Sequence, residues 1–249
     1  MKPEEPFKFL EGDTFSFACH PGVTCFTECC RDLKLVLTPY DLLRLKKASG
    51  LVSSDLLDQF VVIKPRELNG FPGVFLKMNE DEGRSCPFVS PEGCRIYEDR
   101  PGACRIYPIG RASSITKGQD EAKEFHFLVR EDHCHGFEEA QEWSIKGWSQ
   151  DQGLEPYTSF NDGWTEIIQH QGSLGPEAMI PQKLQMFFMA SYNLDQFRQF
   201  VLKSTFLQRF IIPEERIQKM KSDDEELLRL AFQWLKLVLF GEKAIRIRQ

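Results

Sequence analysis

The chain has 249 residues, of which 41% are hydrophobic, and its formal net charge is −6. A chain of this length can bury a full core without covalent crosslinks, and eight cysteines are too small a share for a disulfide scaffold. The negative charge argues against a nucleic-acid partner, and no uncharged apolar run approaches the roughly 18 residues that a membrane span needs.

Two helices are predicted in the first quarter of the chain. Thr38 is a suitable N-cap, Pro39 suits the first helical turn, and Gly50 can end the helix. A second, shorter helix is predicted to begin at Ser53 or Ser54 and to continue through the sequence DLLDQF.

Three short strands are predicted around these helices. Residues 14–18 suit an edge strand, and residues 74–78 and 125–130 are short and rich in β-forming side chains. Glycine, proline and aspartate between them indicate loops. We therefore predict the α+β class, with residues 1–140 forming a small cysteine-rich domain of short strands and loops.

From about Trp143 the pattern changes and predicts a helical C-terminal region over residues 141–249. Asn161 can cap a helix through GWTEIIQH, and Pro181 opens a longer one whose apolar spacing extends to Phe197. The segments PEERIQKMK and DDEELLRLAFQWLKLVLFG complete a set of three or four packed helices. The aromatic stripes of this half are more typical of core packing than of a partner groove, and they indicate no function.

The eight cysteines fall into two groups, and the first lies within FACHPGVTCFTECC. This group contains Cys19, Cys25, Cys29 and Cys30. Because Cys25 and Cys29 are four residues apart, one helical turn or a tight loop can direct both at a single ion. Cys29 and Cys30 are adjacent, so the pair needs either a distorted turn or two different destinations. A disulfide between neighbours would be strained and easily reduced.

The second group contains Cys86, Cys94, Cys104 and Cys134. The start of the chain, MKPEEPFKFLEGD, has no secretory signal, so we expect a cytoplasmic protein whose thiols stay reduced. Thiolates brought together without a cation repel one another, whereas Zn²⁺ or an iron–sulfur core keeps them deprotonated. We predict that these cysteines hold metal, with all eight as candidate ligands. They can complete two four-sulfur sites, or one site that leaves additional redox-active cysteines.

Arginines accompany the second group, in which the sequence CRIY occurs twice. Arg95, Arg100 and Arg105 can offset the negative charge of a metal with four thiolates through N–H···S contacts. The alternative is that they form surface ion pairs with Glu98 or Asp99, which contribute little.

Histidines are further candidate ligands, because an imidazole can replace one thiolate in a Cys₃His zinc site. His20 follows the first cysteine, and His133 and His135 flank the last. The alternative is that they are ordinary exposed loop residues, since the cysteines already suffice.

The blocks FACHPGVTCFTECCRDLKLVLTPYDLLRLK, CPFVSPEGCRIYEDRPGACRIYPIG and CHGF together resemble the YkgJ-type cysteine-cluster proteins, the zinc- or iron-chelating CxxCxxCC family. The resemblance covers about residues 15–137. It implies a cytosolic bacterial protein with a metal centre. The ligand positions that it implies are Cys25, Cys29, Cys30, Cys86, Cys94, Cys104 and Cys134. The name-giving motif is stretched in this chain, and Cys19 lies outside the family's spacing.

Three hypotheses follow. The first is a metal-binding module that holds zinc or an iron–sulfur cluster and serves an unknown protein partner; the resemblance favours the cluster. The second is an iron–sulfur-dependent group transferase, because a flagellin lysine methylase is similar in carrying this kind of cysteine module. No GxGxxG after a strand and no CxxxCxxC motif supports an enzyme independently. The third is a thiol redox sensor that uses Cys29 and Cys30, which tightly held metal would exclude.

Overall fold

The structure is a computed structural model, and it describes residues 7–10, 12–114 and 123–248. Within these ranges the strands are β1 (Phe7–Phe9), β2 (Thr14–Ser16), β3 (Val61–Leu68), β4 (Phe71–Leu76), β5 (Val89–Ser90), β6 (Gly93–Cys94), β7 (Ile109–Ser114), β8 (Lys123–Val129) and β9 (Glu142–Ser144). The α-helices are α1 (Pro39–Ser49), α2 (Ser53–Phe60), α3 (Gly102–Ile106), α4 (Ile145–Asp151), α5 (Glu155–Ile168), α6 (Ile180–Tyr192), α7 (Leu194–Lys203), α8 (Phe206–Arg209), α9 (Glu214–Met220) and α10 (Asp224–Phe240).

The strands form small antiparallel sheets. One has the order β1-β8-β7, and the pairs β2–β9, β3–β4 and β5–β6 form two-stranded sheets. The predicted strands at 14–18, 74–78 and 125–130 correspond to β2, β4 and β8. The sequence pattern does not predict β3, because Pro65 interrupts the run of strand-forming residues. In the structure, the register of β3 with β4 shifts around this proline, between Lys64 and Leu68. Small sheets, a cysteine-rich N-terminal part and a helical C-terminal part confirm the predicted α+β class.

The helices that capping residues mark most clearly are confirmed. Thr38 caps α1 in a capping box with Asp41, and Gly50 ends the helix with a φ of 68°. The longest helix, α10, begins after Asp223, whose side chain accepts two backbone N–H groups, and ends at Gly241. No helix in the described ranges is long and apolar enough to span a bilayer.

Two helix predictions in the C-terminal half are wrong. Asn161 does not begin a helix but lies inside α5, which starts at Glu155. The helix opened by Pro181 does not reach Phe197, because Asn193 leaves the helical conformation and its side chain caps α7 instead. The described part of residues 141–249 therefore holds seven α-helices rather than three or four.

The chain forms two compact units, each built from two segments. The first contains Met1–Leu33 and Met78–Pro156, and the second contains Lys34–Lys77 and Tyr157–Gln249. All eight cysteines belong to the first unit. Residues 34–77, predicted with the cysteines, belong to the second unit, where Tyr40 stacks on Phe160 with ring centroids 4.5 Å apart. The division of the chain into a metal-binding domain over residues 1–140 and a helical region over residues 141–249 stays a prediction.

The first unit has its own apolar core. Its buried members are Phe15, Phe17, Ile109, Leu128 and Trp148. The Phe17 and Trp148 rings meet edge to face with centroids 5.6 Å apart. The last cysteine of the chain packs against this cluster, so the core anchors one side of the candidate site.

Candidate metal centre

Consecutive turns present the first cysteine group. The backbone N–H of Glu28 donates to the carbonyl of Cys25, and that of Cys30 donates to the carbonyl of Thr27. Thr27 has a φ of 71°, a left-handed conformation that is uncommon for threonine, and a 3₁₀ turn over Glu28–Cys30 follows it. The Cys29 and Cys30 thiols consequently interact, and this hydrogen bond is the main reason that the pKa of Cys29 lies well above its ordinary value. A distorted turn, the first of the two predicted solutions, thus brings the adjacent thiols together.

A short antiparallel bridge joins the two cysteine groups. Arg31 pairs with Ser85, and the Cys86 N–H donates to the Cys30 carbonyl at 2.8 Å. On the other side of the bridge, the Asp32 N–H donates to the Arg84 carbonyl at 3.0 Å. The bridge fixes the backbone of Cys30 beside that of Cys86, although 55 residues lie between them.

The β5–β6 hairpin adds Cys94 to this arrangement. Val89 pairs with Cys94 across the hairpin, and the Val89 N–H donates to the Cys86 carbonyl at 3.1 Å. Gly93 has a φ of 119°, and a Cβ at this position would meet the Phe26 ring at 3.1 Å. The close approach of Phe26 to Gly93 therefore holds the hairpin against the first cysteine group.

The end of the domain returns to the first group through Cys134. The N–H of His135 donates to the Cys25 sulfur at 3.1 Å, and the carbonyl of Gly136 accepts from the Ala18 N–H at 3.0 Å. These contacts place Cys134 near Cys25 and next to the start of the first group. Cys104 lies on the short helix α3 and is exposed.

Backbone amides donate to several of the sulfurs, as is typical of thiolates that ligate metals or clusters. The donors are His135 to Cys25, Phe88 and Val89 to Cys86, Ile96 to Cys94, and Gly136 to Cys134. Burial is the larger effect at Cys86, Cys94 and Cys134 and raises their pKa values, whereas these amides act in the opposite direction.

Electrostatic interactions connect seven of the sulfurs into one group. Partial removal from water, and then the charges of Cys29, Cys134 and Cys25, raise the pKa of Cys19 to about 11. Cys94 interacts in the same way with Cys29 and with Cys86. These interactions place Cys19, Cys25, Cys29, Cys30, Cys86, Cys94 and Cys134 in one neighbourhood. As thiolates, these seven sulfurs would repel one another unless a cation compensates their charge.

The donor set fits zinc or iron, since clustered thiolates are the ligands of both. None of the eight cysteines forms a disulfide. As the side chains stand in the described ranges, no three His, Cys, Asp or Glu residues surround a common point at ligand distance.

Two of the three arginines are buried, not on the surface. Arg100 and Arg105 are each 7% exposed. Arg100 donates to the Tyr97 carbonyl and to the Gln152 side chain, and Arg105 donates to the main-chain carbonyls of Gln152 and Glu98. The third, Arg95, donates to the Pro87 carbonyl at 2.5 Å and interacts with Cys86 and Cys94. Burial lowers the pKa of Arg100, while the nearby Cys104 and Cys94 thiolates act in the opposite direction. The sequence does not indicate that Gln152 contacts these arginines, because the fold of the turn after α4 brings them together.

The three candidate histidines each lie beside a carboxylate. The His20 ring accepts from the Gly22 N–H at 3.1 Å and approaches Glu139 at 3.5 Å. His135 lies 2.8 Å from Glu138, and His133 lies 3.6 Å from Glu131. Their side chains are about half exposed, which matches ordinary loop residues better than metal ligands.

Comparison with protein families gives one match to this region. Residues 18–139, which contain all eight cysteines, match the CxxCxxCC family, described as a proposed zinc- or iron-chelating domain. No curated protein and no solved structure matches the chain. The family description agrees with the thiol-rich donor set and supports a general metal-binding role. Over residues 18–139, just under half of the chain, the protein is therefore similar to the CxxCxxCC family.

Proposed function

We propose that the protein holds an iron–sulfur cluster through its cysteine thiolates, with zinc as the alternative metal. The observation that carries this proposal is the group of connected sulfurs that already receive backbone N–H donors. Cluster sulfurs accept such hydrogen bonds, and the bonds tune the reduction potential. The ligands are drawn from all eight cysteines. Cys19 is included because its sulfur interacts with Cys25, Cys29 and Cys134, although it lies outside the family's spacing.

Metal analysis of the anaerobically purified protein tests this proposal. We expect absorption near ~400 nm, typical of thiolate-bound cluster iron, with iron and acid-labile sulfide in matching amounts. A colourless protein with stoichiometric zinc would indicate closed zinc sites instead of an iron–sulfur cluster. A protein that contains neither metal would contradict the proposal and would favour the redox sensor based on Cys29 and Cys30.

Cysteine variants test which sulfurs hold the metal. For Cys29→Ala and Cys94→Ala we expect the metal content to fall by more than ~10-fold, since even residues behind the ligands cost about 10- to 100-fold in affinity. We also expect a lower melting temperature, because metal binding stabilises the folded state. Glu92→Ala in the exposed turn of the same hairpin is the control, since it removes one side chain and no sulfur. Unchanged metal content in both cysteine variants would exclude these two ligands.

We also propose a reducing, cytoplasmic location, where grouped cysteines more often bind metal than form disulfides. Group-transferase activity is a further proposal. It is favoured by the exposure of Cys19, Cys29 and Cys104, because a centre that faces solvent can offer an open coordination position. Adding cyanide to the metal-loaded protein and recording its spectrum tests this point. A changed spectrum supports an open position, and an unchanged spectrum indicates a closed centre.

A further inference from the structure

A short antiparallel ladder lies in the second unit, apart from the sheets described above. It joins residues 209–211 to residues 246–248, and we call it the C-terminal ladder. Phe210 pairs with Ile247 at its centre, and backbone hydrogen bonds of 2.9 and 2.8 Å lie on either side of this pair. Phe210 is only 9% exposed, so its side of the ladder is turned towards the core of the unit.

The opposite face of the ladder carries three arginines and one isoleucine. Side chains alternate between the two faces of extended backbone, so the residues that flank the central pair lie on the face opposite to Phe210. They are Arg209, Ile211, Arg246 and Arg248, and all four are exposed. Two large apolar side chains add to this surface, because Ile211 is 50% exposed and Ile247 is 56% exposed.

The positive charges of this face lie close together. Arg209 is directly opposite Arg248, whose N–H donates to the Arg209 carbonyl, and like charges in such positions are destabilising. Among the described residues, no carboxylate forms an ion pair with any of the three guanidinium groups. Arg248 Nε donates to the neutral Phe210 carbonyl at 3.5 Å, and Glu242, the carboxylate nearest to this face in the sequence, contacts His170. An anion bound at this face would therefore relieve the repulsion.

One backbone edge of the ladder is open. The ladder bonds belong to the residues before and after Ile247, so the N–H and C=O of Ile247 itself point away from Phe210. In the part of the chain that the structure describes, these two groups have no backbone partner. An extended segment of another chain can pair with such an edge, with alternate side chains placed on the two faces.

The charge of the whole chain favours a short anionic partner over a long one. The net charge is −6, and Glu214 and Glu215 follow within four residues of Ile211. A nucleic acid or an anionic membrane extends beyond the arginines and meets this negative surface, whereas a short acidic peptide contacts the arginines alone. Arginine beside exposed isoleucine is also typical of protein–protein interfaces, whose cores are apolar and enriched in arginine.

We propose that the C-terminal ladder binds an extended acidic segment of a protein partner. The segment pairs with the backbone of Ile247, directs carboxylates at Arg246 and Arg248 on one face, and places apolar side chains against Ile247 on the other. This surface belongs to the second unit, so the proposal is independent of the metal centre.

Peptide binding to the full chain tests this proposal. The probe is a fluorescent peptide in which glutamate and valine alternate, and the reference peptide has glutamine in place of glutamate; fluorescence anisotropy measures both affinities. We expect the wild type to prefer the acidic peptide. Arg246→Gln/Arg248→Gln should bind it roughly five- to tenfold more weakly, because two exposed ion pairs are lost. Lys47→Gln/Lys77→Gln removes the same charge from other exposed positions and should bind like the wild type.

Arg246→Gln alone keeps the contact between Arg248 and Phe210, so it separates binding from folding. We expect it to weaken binding by about threefold, as loss of one exposed ion pair does, at an unchanged melting temperature. Hydrogen exchange of residues 245–248 should slow when the acidic peptide is added, since the edge at Ile247 is then paired.

Three results would overturn the proposal. The first is equal affinity of the wild type for the two peptides, and the second is wild-type affinity in Arg246→Gln/Arg248→Gln. The third is tighter binding of polyuridine RNA, or of vesicles of phosphatidylserine and phosphatidylcholine, that the same arginine variant loses. That result would assign the face to a long polyanion. Unchanged hydrogen exchange at residues 245–248 in the presence of bound peptide would exclude the pairing at Ile247.

Discussion

A cysteine sulfur ligates metal only as a thiolate, and the amide two residues later reduces the cost of that anion. Phe88, Ile96 and Gly136 follow Cys86, Cys94 and Cys134 at this spacing, and each donates its N–H to the sulfur. The donors share no side-chain type, because the backbone makes the bond. The sequence therefore predicts which residues are candidate ligands but not which sulfurs are stabilised as anions.

Position 136 also requires glycine because there is little space for a side chain. A Cβ there would lie 2.6 Å from a carbon of the Phe17 ring and 2.7 Å from the Ala18 carbonyl oxygen, and the backbone oxygen cannot move aside easily. We expect Gly136→Ala to lower the free energy of unfolding by about 1–3 kcal/mol, as overpacking does, and to reduce metal content. Urea denaturation and metal analysis measure both effects. Gly163→Ala inside α5, where the nearest atom is 3.3 Å away and alanine favours the helix, is the control and should be neutral. Equal stability of the two variants would show that residues around Gly136 can adjust.

The elements that the sequence predicts best are those with caps at both ends. In α1, Thr38 and Gly50 satisfy backbone groups locally, so no distant contact is needed to place the ends. Asn161 and Asn193 show the limit of this reasoning, because asparagine suits an N-cap but also occurs inside helices. Tertiary packing decides which of the two asparagines caps a helix. In the structure, Asn193 is the cap, at the start of α7.

An ion-pair network in the second unit links its helices and should make stability depend on pH. Asp195 on α7 accepts from Lys46 on α1 at 2.7 Å, from the Ser53 N–H on α2 at 2.8 Å, and from Arg198 at 3.0 Å. Burial alone would raise the pKa of Asp195, but Lys46 and Ser53 outweigh it, and the pKa is lowered. The stabilisation is therefore complete above the unfolded-state pKa of about 3.9 and is lost as the pH falls through the lower folded-state value.

Asp195→Asn tests this network. At neutral pH we expect it to lower the free energy of unfolding by about 1–3 kcal/mol, because Lys46 loses a charged partner. The difference from the wild type should shrink as the pH is lowered from about 5 to about 2, since the wild-type carboxylate is then protonated as well. Thermal melts at several pH values provide the measurement, and Asp58→Asn at an exposed position of α2 is the control. A constant difference across this range would assign the effect to packing rather than to charge.

At the scale of the whole molecule, the sequence predicts the class of fold but not the grouping of its segments. Residues 34–77 contain no cysteine and have apolar faces, which indicates burial without specifying the partner. The structure groups them with the C-terminal helices, so each unit is discontinuous in the chain. The same difficulty applies to the site, because the approach of Cys30 to Cys86 depends on the bridge between Arg31 and Ser85, and no local pattern encodes that pairing.

Metal removal should therefore act on one unit. If thiolate-bound metal stabilises the first unit, a chelator should lower the free energy of unfolding of that unit, and the loss is larger when the metal is bound more tightly. The second unit keeps its own core and ion pairs. We expect hydrogen exchange, followed by mass spectrometry, to accelerate in residues 12–33, 78–114 and 123–156 after chelation and to stay unchanged in residues 34–77 and 157–248. Adding metal back should restore the slow exchange. Acceleration across both units would show that their stabilities are coupled, and no acceleration in either unit would contradict a stabilising role of the metal.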